Sequence, residues 1–153
     1  IDDIKIGMAK TDGKYVEIPD RKEAIAYAIH HGEPGDIIVF SMTTDSPYYD
    51  LNEALVKRVI AKGGDVVNID YQAGTVSVNG EVLQEAYIAE PTYLGYDVTF
   101  PYTVPEGTVF VMGDNRNASL DSRSSYVGCI DERDILGKVL LCFLPFSDFG
   151  VVK

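Results

Sequence analysis

Gly113-Asp114-Asn115-Arg116-Asn117-Ala118-Ser119-Leu120-Asp121-Ser122-Arg123 follows directly on the apolar run Val109 to Met112. A short apolar run of this kind reads as a buried strand. The polar stretch after it has the composition of a turn, since Gly, Asn, Asp and Ser each favour turn geometry. It also holds two arginines and two aspartates, which can form fixed ion pairs. A turn stiffened in that way suits a site as well as a spacer.

Strand signals spread from it in both directions. Val66, Val67, Ile69 and Tyr71 predict one strand and Thr75 to Val78 another, with Gln72-Ala73-Gly74 as the hairpin turn between them. Asn79-Gly80 is a second turn signal, after which Glu81 to Leu83 resumes an extended chain. Residues 84–107 hold three prolines and several tyrosines and read as a long connection with short strands, the tyrosines serving as packing and loop anchors. Gly137 to Phe143 predicts the last strand. Toward the N-terminus the pattern changes near residue 40. Tyr15 to Ile18 and Ile37 to Phe40 are strand-like. Between them Ala24, Ile25, Ala28 and Ile29 recur at helical spacing, behind an Asp20/Glu23 capping pair. Gly32 and Pro34 stop that helix, and His30 and His31 at its end suit a helix C-terminus better than catalysis. The expected architecture is mainly β: a twisted antiparallel domain over 40–153, preceded by a short α/β element over 1–39, α+β overall.

Composition narrows the function. The 153 residues carry 13 Lys+Arg against 24 Asp+Glu, a net charge of −11. Phosphate backbones select basic stripes, so nucleic acid is not the expected partner. No apolar run approaches the roughly 20 residues of a membrane span, and the chain is expected to be soluble. Cys129 and Cys142 make neither a metal quartet nor a disulfide framework and read as buried free thiols. No metal site is expected.

A second cluster is Val56-Lys57-Arg58-Val59-Ile60. On a strand Lys57 shares a face with Val59, and Arg58 faces the other way. A strand-edge Lys-Arg pair snorkelling to water is the simpler reading of this segment taken alone. The other reading is chemical. An amine held among apolar side chains is destabilised as the ammonium, and it can then act as a general base near neutral pH.

Taken together the clusters resemble type I signal peptidases. Those carry a Lys-Arg-Val-Ile segment followed by Gly-Asp, seen here from Lys57 to Asp65. They also carry a Gly-Asp-Asn-Arg-x-x-Ser-x-Asp-Ser-Arg box, complete here from Gly113 to Arg123. The strand Gly35-Asp36-Ile37-Ile38-Val39-Phe40 fits as well, and the resemblance spans roughly 34–147. It implies a β catalytic domain on the extracytoplasmic face of the membrane. The implied chemistry is a Ser/Lys dyad that cleaves signal peptides from exported preproteins without a metal or organic cofactor. It casts Lys57 as general base and Ser119 as a hydroxyl bonding near that base. Asp121 with Arg123, and Asp114 with Arg58, become structural ion pairs. A membrane-contacting apolar surface is implied too, with Phe143, Leu144, Phe146 and Phe149 as candidates.

The family's nucleophile belongs to a Ser-Met-x-Pro motif ahead of the Gly-Asp-Ile-Ile-Val-Phe strand. Residues 1–40 contain no serine. Ser41-Met42 lies after the strand, without the proline, and reads as a coincidence. Gly7-Met8 matches only with Gly in place of Ser. Residues 1–39, with Ile18-Pro19-Asp20-Arg21-Lys22-Glu23 and Glu33-Pro34-Gly35-Asp36, resemble instead the C-terminal domain of Mur ligases. The expectation is a composite chain joined over 34–40, with little peptidase activity by itself. The alternative is an inactive composite or decayed scaffold that still binds peptide.

Overall fold

The computed structural model describes residues 34–41, 54–139, 141–142 and 150–151. Three strands form the centre: β1 (Ile37–Ser41), β2 (Ala54–Lys62) and, after the hairpins, β7 (Thr108–Met112). Between β2 and β7 come β3 (Val66–Asp70), β4 (Thr75–Val78), β5 (Glu81–Val82) and β6 (Tyr102–Thr103). Beyond β7 lie β8 (Ile130–Asp131), β9 (Ile135–Lys138), β10 (Leu141–Cys142) and β11 (Gly150–Val151). Every strand pair among the described residues is antiparallel. The sheets run β8-β7-β2-β1-β9, β5-β4-β3-β6 and β10-β11. The fold is thus mainly antiparallel β, as the strand patterning predicts.

Alternation decides which side each strand buries. In β3, Val67 and Ile69 are buried while Val66, Asn68 and Asp70 are exposed. That is the period of two expected of a sheet with one wet face. The Asn79-Gly80 turn takes φ +52° and +86°, the left-handed pair that lets a two-residue hairpin follow strand twist. At the other hairpin Asp70 Oδ1 accepts from the amides of Gln72 and Ala73. Gly74 closes that turn at φ +73°, as the sequence suggests.

Two cores result. Ile60, Ala61, Phe110 and Met112 pack with Val67, Ile69, Val76 and Val104, joining the five-stranded sheet to the four-stranded one. On the opposite face of the larger sheet Ile38, Phe40, Val59, Val109, Val111, Ile130 and Ile135 form the other core. Leu120 from the polar turn, and Tyr126 and Val127 from the segment after it, pack on this core.

Three expectations change. The strand expected over Gly137–Phe143 is two strands. β9 pairs with β1, and Val139 N still donates to Ile37 O at 2.8 Å, whereas β10 pairs with β11. Cys129 is a free thiol but only half-buried, its Sγ 3.8 Å from Tyr102 Oη; burial pushes it above the ordinary cysteine value. The connection over 84–107 is bonded closely to the polar turn. The helix over 20–31, His30 and His31, Gly7-Met8, and Phe143, Leu144, Phe146 and Phe149 lie outside the described residues, as does the Cys142 side chain.

Candidate active site

β2 passes between the two cores, so its neighbouring residues meet different surroundings. Ile60 packs on the first core, and Leu55 and Val59 pack on the second. By that alternation Lys57 projects to the Val59 side, opposite Ile38 of β1, and Arg58 projects the other way. Val56, one residue earlier, is 53% exposed, whereas Arg58 and Val59 are buried. Lys57 therefore stands where the strand leaves solvent. Burial pushes its amine below the ordinary lysine value of 10.5; Asp121 opposes the shift and Arg123 adds to it.

On the other face Arg58 is held on all sides. Its Nε and Nη2 donate to the two carboxylate oxygens of Asp114 at 2.8 and 2.7 Å, a bidentate fork. Nη1 donates to Gly35 O at 2.5 Å, and the guanidinium lies 3.9 Å over the Tyr87 ring. This ties the start of β1 to the end of β7.

The polar turn folds back along β7. Ser122 N donates to Val111 O, and Ser122 Oγ accepts from Val111 N at 2.9 Å. Asp121 Oδ2 accepts from Gly113 N at 3.0 Å. Both carboxylate oxygens of Asp121 also accept from Arg123, at 2.8 and 2.9 Å, with both side chains fully buried. Arg123 then donates to the carbonyls of Leu94, Arg116 and Ser119. A buried guanidinium that binds three carbonyls of two segments sets the shape of the turn.

The turn delivers Ser119 to Lys57. A Cβ on Gly113 would overlap Ser119 Oγ, stand 2.5 Å from Ser119 Cβ and lie 3.7 Å from Lys57 Nζ. Glycine is required here by close approach, because the serine side chain fills the space over its α-carbon and the lysine amine borders it. Ser119 Oγ is buried and, among the described residues, without a hydrogen-bond partner. Gly113→Ala is expected to displace Ser119 and to cost about 1–3 kcal/mol, as overpacking usually does. Urea denaturation would show it, and an unchanged midpoint would mean that the turn yields freely.

Lys57 and Ser119 thus approach one another over Gly113, with Asp121 and Arg123 near enough to act on the amine, while Arg58 leaves β2 in the opposite direction to pair with Asp114. Ser41 pairs with Ala54, three positions from the Ile38–Lys57 pair, which puts its side chain on the opposite face from Lys57. Sequence reasoning missed Glu85 and Thr92. Arg116, fully buried, donates to Glu85 Oε1 and Oε2 at 2.5 and 3.0 Å, to Thr92 Oγ1 at 3.1 Å and to Gly113 O at 3.1 Å. The arginine was visible inside the polar stretch; nothing local marked Glu85 as its partner. A small open cleft of about 150 Å³ adjoins the amine, lined by Ile37, Val56, Lys57, Arg58, Gly113 and Asp114.

The family model described as signal peptidase, peptidase S26, matches residues 16–144. The chain is 41% identical over 130 residues to a probable signal peptidase I-1 of Synechocystis, covering 84% of this chain and 63% of that protein. It is 38% identical over 128 residues to a signal peptidase I of Bacillus amyloliquefaciens, covering 79% and 62%. It spans about three-fifths of the length of these curated relatives. A crystal structure of a signal peptidase I from Enterococcus faecalis V583 superposes with a TM-score of 0.52 at 30% identity, covering 69% of this chain and 94% of that one. The Mur-ligase resemblance over 1–39 finds no support, because the peptidase match already begins at residue 16. Since that match runs through both β2 and the turn that brings Ser119 to Lys57, the chain belongs to the signal peptidase family, peptidase S26.

Proposed function

We propose that Lys57 is the general base of a Ser/Lys centre that removes signal peptides from exported preproteins at the extracytoplasmic membrane face. The observation that carries this reading is the amine of Lys57, half-buried beside the unpartnered hydroxyl of Ser119 over Gly113. A neutral amine can take the proton of a serine hydroxyl as that oxygen attacks the scissile carbonyl, and can return it to the leaving amine. Ser119 places a buried hydroxyl near the amine. The Asp121–Arg123 and Arg58–Asp114 pairs hold the turn and the strand in place and do not touch the reacting atoms. On the β7 side, the register of β2 begins at Arg58, so among the described residues no strand pairs there with Ala54–Lys57. An extended polypeptide fits beside such an edge.

The nucleophile is a separate matter. Ser119 is only 6% exposed, too enclosed for a peptide carbonyl, and Ser41 faces away from Lys57. The 153 residues by themselves are expected to cleave a signal-peptide substrate slowly or not at all.

Acylation of Lys57 by acetic anhydride, followed by mass spectrometry across pH, tests the base assignment. The expected midpoint lies below 10.5, and each unit lower raises the neutral fraction at pH 7 about tenfold. Between the folded midpoint and the ordinary lysine value the unfolded chain keeps a proton that the folded chain has lost. Folding stability therefore rises with pH through that window. A midpoint at the ordinary value overturns the assignment. Rapid cleavage of a fluorogenic signal peptide, abolished in Lys57→Ala, would overturn the expectation of low activity.

A further inference from the structure

We propose that Tyr96 is a positioning residue for this centre, acting on Lys57 through the main-chain carbonyl of Ser119. The inference rests on the reading of Lys57 as the base. Tyr96 lies outside the Gly113–Arg123 stretch, on the connection whose tyrosines the sequence presents as packing and loop anchors. Its hydroxyl donates to Ser119 O at 2.8 Å, and its ring centroid is 5.3 Å from the Arg123 guanidinium carbon.

The count of donors shows why this hydroxyl matters. Arg123 Nη2 has two hydrogens but three acceptors: Arg116 O at 2.6 Å, Asp121 Oδ2 at 2.9 Å and Ser119 O at 3.1 Å. Ser119 O is the most distant of the three, so Tyr96 is its principal donor. The loop that carries Tyr96 is itself fixed. Asn117 Oδ1 accepts from the amides of Tyr93 and Leu94, and Leu94 O accepts from Arg123 at 2.7 Å. Ser119 follows the 3-10 turn Arg116–Ala118 in extended conformation, φ −117° and ψ 126°. Pinning its carbonyl fixes the peptide plane, and with it the direction in which the Cα–Cβ bond carries the side chain toward Gly113 and Lys57.

Without the Tyr96 hydroxyl, the Ser119 carbonyl keeps only the longer bond from Arg123, Ser119 moves off Gly113 more readily and water reaches the amine. The charged groups around that amine are Asp121 and Arg123 from the turn, and Arg58 and Asp114 at the cleft. None of these is altered by the substitution, so the change reports hydration of Lys57. Tyr96 is 39% exposed, and Tyr96→Phe keeps the ring over Arg123, so the fold should survive.

The test is the pH dependence of Lys57 acetylation in wild type, Tyr96→Phe and Tyr96→Ala, with Tyr93→Phe as control and circular-dichroism melts on each. In both Tyr96 variants the Lys57 midpoint is expected to rise toward the ordinary lysine value by roughly half a pH unit or more. Tyr93→Phe is expected to coincide with wild type. Coincident wild-type and Tyr96→Phe curves overturn the positioning role, whatever the wild-type midpoint. A wild-type midpoint at the ordinary value overturns the base assignment, whatever the difference between variants. An equal shift in Tyr93→Phe also overturns the positioning role, since it would be a general effect of loosening the loop.

Discussion

Asp121→Ala is expected to destabilise the fold by about 3–5 kcal/mol, the loss typical when one partner of a buried ion pair is removed. Arg123 would be left fully buried with its charge uncompensated. The Gly113 amide would lose its acceptor as well. The three carbonyl partners of Arg123 satisfy its hydrogen bonds without neutralising the guanidinium. Asp121→Asn separates charge from shape: it retains an acceptor oxygen but no counter-charge, and should fall between wild type and alanine. Urea denaturation of the three proteins measures this. A loss under about 1 kcal/mol for alanine would show that the carbonyls alone suffice for Arg123.

Glu85→Ala is the second large effect, again about 3–5 kcal/mol. It leaves Arg116, which has no exposed surface, without its bidentate partner. Two further consequences separate this from simple loss of packing. Pairing Glu85→Ala with Arg116→Met should recover part of the stability, since removing both charges leaves none buried alone. Amides over 85–98 should also exchange faster, because Glu85, Thr92 and Leu94 are all bonded to Arg116 or Arg123. Stability equal to wild type in Glu85→Ala, or no recovery in the double variant, would show that the pair does not lock the connection to the turn.

These two pairs differ in how they could be read beforehand. Asp121 and Arg123 are two residues apart, and a polar turn dense in both charges already suggests an ion pair. Arg58 and Asp114 are 56 residues apart. Nothing in either neighbourhood joins them, and only the family resemblance put them together. Glu85 and Arg116, 31 apart, were joined by neither route. Glu85 stands in a stretch of mixed polarity, where a buried acid looks like any exposed one. The break between β9 and β10 was hidden for a similar reason. Residues 137–143 are apolar enough for one strand, and the division arises because β1 pairs with β9 while β10 pairs with β11.

The amino-acid order alone determined the local geometry: the alternation that sends Lys57 and Arg58 to opposite faces, the Asn79-Gly80 hairpin, and the rigid turn after Met112. Each depends on neighbouring residues, whose side-chain directions follow from backbone period and allowed φ, ψ. Three-dimensional packing decided the rest. Desolvation of the Lys57 amine, close approach of Ser119 to Gly113, and the hold of Tyr96 on the Ser119 carbonyl all join segments distant in the chain. Their energies depend on which surfaces exclude water together, and that exists only once the sheets have closed.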